Sequence, residues 1–234
     1  TLRRDINTVA CHGPRFAFHA LPTTFPKPDA GVLRGMSTTW IVADENAPRV
    51  HVSDVKAEEL VTVGYGALPR PLGKRTSLAL SLDRLFIGTA DSLAVDVYDL
   101  TGRRLATWSA ASPAPRLTED AYGNAITELL RSLHSPDLRK QVRSVLERQP
   151  QPAQPAAYVR LHWNGDSLLW VELQPDVMAQ TRMLAFGPGG AIVAELRHPT
   201  PLRVFEVAND HLLAASRGGD DVQHVVRYRL VERR

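Results

Sequence analysis

Cysteine is all but missing from this chain. Cys11 stands alone among 234 residues, so no disulfide can form within the chain, and cysteine usage does not identify a redox compartment. No apolar run reaches the 18 or so residues that a membrane-crossing helix needs, which excludes an ordinary transmembrane segment. No secretory signal is legible at the start, although the chain opens on Thr1 rather than Met, which leaves room for an upstream segment. A strong excess of one charge is missing too: 28 Lys and Arg face 25 Asp and Glu, for a net charge of +3. So small and scattered an excess does not imply a nucleic-acid or anionic-membrane partner, and no nucleic acid is expected. The pairs Arg3-Arg4, Arg103-Arg104 and Arg233-Arg234 sit at ends or turns and read as solvated.

Catalytic motifs are missing as well. There is no H-E-x-x-H, no C-x-x-C, no phosphate-cradling glycine loop and no G-x-S-x-G elbow. None of the eight histidines pairs with another at metal-ligand spacing, so no metal site is read from them. Cys11 and His12 are adjacent, and neighbours on a strand point to opposite faces, which argues against a nucleophile beside its base. Gly218-Gly219-Asp220-Asp221 reads as a tight turn using glycine's freedom at positive φ.

What is present is a repeated alternation of strand and turn. Residues 77–108 form four short β runs separated by Asp83-Arg84, Ala90-Asp91-Ser92 and Thr101-Gly102. The same order returns at 157–196, opening with the Asn164-Gly165 turn and closing with Gly189-Gly190. A four-stranded unit returning about every 40 residues is the mark of a β-propeller blade. In Val95–Leu100 neither alternate face is wholly polar, and Leu85–Gly88 is continuously apolar, as strands between two neighbours require. Trp40–Ala43, Leu168–Val171 and Leu212–Ala215 hold the equivalent place in other repeats. The expected fold is therefore all-β, with blades at about 37–66, 74–110, 157–197 and 200–234. Residues 1–36 are expected to be a partial blade and a long connection, because Pro14, Pro22, Pro26 and Pro28 argue against central strands.

One insertion, at about 117–149, breaks the β pattern. Thr118 can cap a first helix with Glu119 and Asp120 in its first turn, and Ile126, Leu129, Leu130 and Leu133 give it an apolar stripe. Ser135-Pro136 restarts a helix, continued by Leu138, Val142, Val145 and Leu146. The proline-rich run Gln149–Pro155 ends it as a stiff connector. Such a hairpin is expected to cover a face or edge of the propeller, or else to gate a binding mouth.

This layout resembles a bacterial family of six-bladed β-propellers related in shape to NHL-type propellers. Three stretches carry the resemblance: LSLDRLFIGTADSLAVDVYDLTGRRLATW, the helical insertion leading into Tyr158-Val159-Arg160 and the Asn164–Val171 hairpin, and the ending from Pro201 to Leu230. It implies that the four visible blades are the C-terminal portion of a six-bladed ring. It also implies an exported protein, periplasmic or extracellular. It supplies no catalytic residues.

Candidate site residues follow from where loops gather, at the ends of such a ring. Asp44, Glu45 and Asn46 follow the Trp40–Ala43 strand, and Asp83, Asn164, Asp166, Asn209 and Asp210 occupy other turns. Asp and Asn are also the residues β-turns favour. The expected function is a non-enzymatic platform for a protein or small-molecule ligand, without cofactor. The alternative is a calcium-dependent hydrolase: in six-bladed lactonase-type propellers, Glu, Asn and Asp oxygens hold calcium in the channel, and oxygen ligands suit that ion.

Overall fold

The computed structural model describes residues 6–20, 31–42, 50–64, 66–111, 117–165, 167–175, 180–199, 202–217 and 222–231. The described chain is mostly β, in five antiparallel sheets with two helices. Sheet I contains β1 (Ile6–His12), β2 (Arg15–Ala20), β4 (Met36–Val42) and β5 (Val50–Lys56) in that order. Sheet II is the meander β8 (Ser77–Leu80), β9 (Arg84–Gly88), β10 (Ala94–Asp99) and β11 (Arg104–Ser109). Sheet III repeats it with β12 (Tyr158–Trp163), β13 (Leu169–Leu173), β14 (Gln180–Phe186) and β15 (Ile192–Pro199). Sheet IV comprises β16 (Leu202–Val207), β17 (His211–Arg217) and β18 (Gln223–Arg229). A small sheet joins β3 (Val32–Leu33), β6 (Leu60–Val63) and β7 (Gly66–Pro69).

The four larger sheets stack face to face through their first strands: β8 lies beside β1 and β12, and β12 lies beside β16. Alternation within single strands explains the stacking. On β9, Leu85 and Ile87 join the core shared with sheet I, whereas Phe86 joins the core shared with sheet III. On β13, Leu169 and Val171 face sheet II while Trp170 packs with Val204, Val207 and Leu212 of sheet IV. A strand covered on both faces has no polar side to show, hence its continuous apolar sequence. Aromatic rings lock sheet II to sheet III, with the Phe86 ring centred 5.2 Å from Trp163 and the Trp108 ring 6.2 Å from Phe186. Gly88 leaves the space that the buried Tyr158 hydroxyl occupies.

The unit expected at 37–66 is divided between two sheets. β4 and β5 complete sheet I with β1 and β2, while β6 pairs with β3 and β7. The reason is packing: Ala17 of β2 and Ile41 of β4 are both buried against sheet II, so β2 serves β4 better than a downstream strand could. Pro14 lies in the turn between β1 and β2, where proline interrupts no ladder.

The helices α1 (Glu119–Ser132) and α2 (Pro136–Arg148) begin at the expected caps. The Thr118 and Ser135 hydroxyls accept from the backbone N–H groups of Ala121 and Leu138. Their apolar stripes meet the small sheet: Leu130, Val142 and Leu146 share a core with Val61 and Val63. The helical hairpin thus has a sheet of its own to cover. Arg70, whose Nη2 donates to Pro150 O at 2.7 Å, ties the hairpin's exit back to that sheet.

Candidate functional site

The turns between first and second strands meet neighbour to neighbour at one end of the stack. The Arg15 guanidinium, beside the β1–β2 turn, donates to Leu82 O in the β8–β9 turn. The Asn164 amide of the β12–β13 turn donates to Asn209 Oδ1 of the β16–β17 turn at 3.1 Å. Four of the sequence-derived candidates occupy these turns. Asp83 is used locally, accepting from the Ser81 hydroxyl at 3.0 Å. Asn164 Oδ1 accepts from the backbone N–H of Ser167 and Leu168, an Asx-type turn. Asp44, Glu45, Asn46 and Asp166 lie outside the described residues.

Asn164, Asn209 and Asp210 come together on the rim of a cleft of about 1040 Å³ between β15 and sheet IV. Asp83 is not part of it. Its walls are apolar: Leu168, Trp170, Ala194 and Leu196 from sheet III, with Leu230 and Val231 closing the other side. Trp170 is buried, and its indole N–H has no acceptor among the described residues. A buried donor of that kind is uncommon in a settled core.

Charge on the rim is fixed by pairing. Glu195 receives both Nε and Nη2 of Arg182 at 3.0 Å, and Arg197 Nε at 2.7 Å. The hydrogen bonds from Arg182 and then Arg197 bring its carboxyl down to about 2. Asp210 receives His211 Nδ1 at 2.6 Å and Arg227 at 3.3 Å, and the His211 hydrogen bond chiefly lowers its pKa. Arg229 also lines the cleft, so two arginines, Arg197 and Arg229, border it beside the two carboxylates, with Glu206 behind His211 at 4.0 Å. Trp170, Ala194, Leu196 and Arg229 were not among the sequence candidates. Trp170 was legible only as part of the apolar strand Leu168–Val171, and Ala194 and Leu196 only through the alternation Val193-Ala194-Glu195-Leu196-Arg197, which marks one face of β15 as apolar without saying what covers it.

A second charge cluster lies away from this cleft. Asp91, in the β9–β10 turn, meets Arg34 at 2.5 Å, Lys56 at 3.2 Å and Lys74 at 3.3 Å. Hydrogen bonds from Arg34 and Lys56 outweigh burial and hold its carboxyl well below the usual range. Arg34 also donates to Ala57 O and Thr89 O, so the cluster clamps sheet II to the segments flanking the small sheet. Under α1, a 280 Å³ pocket is bounded by Leu72, Arg75, Glu128 and Tyr158.

The arrangement offers a concave, largely apolar surface edged by paired charges. Rim carboxylates held by arginines are poor proton acceptors, and among the described residues no three His, Cys, Asp or Glu side chains form a group that could hold a metal ion. Compared with known proteins, the chain matches no protein-family model and no curated protein.

Proposed function

We propose that this chain is part of a β-propeller that acts as a non-enzymatic binding platform, with the cleft between β15 and sheet IV as its ligand site. Three observations support the propeller reading: consecutive antiparallel meanders, faces stacked through first strands, and first turns sharing one end. A six-bladed ring and export from the cytoplasm go with it and rest on the family resemblance. The observation that carries the binding reading is the cleft itself, with apolar walls, a buried indole N–H without an acceptor among the described residues, and Arg197 and Arg229 on its rim. Ligand sites are typically concave and apolar with a few placed polar groups.

The test uses anilinonaphthalene sulfonate, an apolar anion, as probe. Saturable binding is expected, weakened at least about tenfold by Arg229→Glu on the exposed rim (about 1.4 kcal/mol). Binding indifferent to both Arg229→Glu and Leu196→Glu would sink the reading. Calcium should leave the melting temperature unmoved. A saturable rise with calcium, together with lactone or ester turnover, would transfer the assignment to a calcium-dependent hydrolase.

A further inference from the structure

Sheets I, II and III each carry a fourth, outer strand, namely β5, β11 and β15. Sheet IV has three strands among the described residues, and β18 is its outer edge. The four edges are not alike. β5, β11 and β15 each join their sheet across a register shift, between Ser37 and Thr39, Val97 and Tyr98, and Ala185 and Phe186. Such bulges bend an edge and spoil it as a template for another chain. β18 pairs with β17 without a break over seven residues, from Arg217↔Gln223 to His211↔Arg229. Its outward N–H and C=O groups therefore stand in regular register.

The cleft lies where a fourth strand of sheet IV would meet the fourth strand of sheet III. Ala194 and Leu196 of β15 face sheet IV, in one cluster with Tyr228 and Leu230. Arg229, Leu230 and Val231, at the end of β18, border the cleft directly. From these observations, and resting on the binding reading above, we infer that β18 receives an extended segment of a partner protein, added antiparallel or parallel as a fourth strand of sheet IV.

The two faces of β18 define the chemistry of that segment. Tyr228 and Leu230 turn toward sheet III, while Val225, Arg227 and Arg229 are exposed on the alternate positions. An added strand places successive side chains on opposite faces. Apolar residues then lie beside Tyr228 and Leu230, against Ala194 and Leu196, and acidic residues lie beside Arg227 and Arg229. From Gln223 to Arg229 the strand holds His224, Arg227 and Arg229 and no carboxylate. A second copy of this chain would set like charge against like, so the partner is a different, acidic strand. Main-chain pairing supplies affinity and the alternation supplies selectivity.

The probe is the blocked peptide Glu-Ile-Glu-Val-Glu-Ile-Glu, tested by fluorescence polarisation and by amide hydrogen exchange. It is expected to bind at least about tenfold more tightly than its lysine counterpart and to slow exchange at those β18 amides that do not bond β17. Arg229→Glu should reverse the preference between the two peptides. Equal binding by a peptide N-methylated at alternate residues, which cannot pair along that edge, would overturn strand addition while leaving the cleft as a binding site. Protection of β18 without peptide, rising with protein concentration, would overturn it in favour of self-association. Failure of both this peptide and the naphthalene sulfonate to bind would overturn strand addition and the platform together.

Discussion

His19 offers a pH prediction whose size follows from its surroundings. The ring is fully buried in sheet I, with Nε2 2.6 Å from Ser37 Oγ and Nδ1 3.0 Å from Thr39 Oγ1. Ser37 donates its hydroxyl proton to Val55 O at 2.9 Å, so it accepts from Nε2–H, and Thr39 donates to Nδ1. Both ring nitrogens are therefore satisfied in the neutral form. Burial lowers the pKa from 6.5 to about 4. The unfolded chain takes up a proton near 6.5 and the native chain only near 4, so this contribution to stability is complete above 6.5 and is lost as pH falls toward 4. At pH 4.5 the difference amounts to about 2 to 3 kcal/mol. Urea unfolding of the wild type and of His19→Gln, at pH 7.5 and 4.5, measures it: the wild type should lose about 2 kcal/mol more than the variant. Whatever the replacement costs at neutral pH drops out of that comparison, as do other titrating groups. Equal losses in both proteins would refute the argument.

Two further perturbations test the packing. A Cβ at Gly88 would fall 1.8 Å from Tyr158 Oη, which donates to Ala94 O at 3.1 Å. Gly88→Ala should therefore cost about 3 kcal/mol, from overpacking and a lost buried hydrogen bond, with a visible fall in melting temperature. The same substitution in a Tyr158→Phe background should cost at least about 1 kcal/mol less, and identical costs would show that the hydroxyl is not the obstacle. Asp91→Asn leaves Arg34 and Lys74, both largely buried, without their shared anion. A loss of about 2 kcal/mol is expected, seen as a melting temperature lower by about 4 to 8 °C, and an unchanged melting temperature would remove the clamp from the argument.

The parts of the fold legible in the sequence are those specified locally. Thr118 and Ser135 announce their helices because a cap acts within three residues, and the strands of sheets II and III are joined by short turns that carry their own Asp, Asn or Gly signals. Sheet I was not legible as a unit. Its strand β4 bonds β2 on one side and β5 on the other, and nothing in the alternation of Met36–Val42 names an upstream partner. The prolines of residues 1–36 were read as arguing against central strands, yet Pro14 sits in a turn and the strand after it, β2, lies between β1 and β4. For the candidate site, Asn164, Asn209 and Asp210 were visible as turn residues, but their convergence depends on how sheets III and IV stack. The apolar wall was invisible for the same reason, since Ala194 and Leu196 look like any half-buried strand until the neighbouring sheet stops short of covering them.

The division of strands between sheets also separates short closures from longer ones. Sheets II and III are built from consecutive strands, so their contacts close short loops and form with little loss of chain entropy. Sheet I must bring β4, at Met36, back to β2, at Ala20, across the strand β3 that belongs to another sheet. Because the closure cost grows only logarithmically with length, the finished sheet need be no weaker for this detour, only later. Were sheet I to close last, Leu85 and Ile87 would face water until it did, and that side of sheet II is where chaperones or aggregation would first take hold.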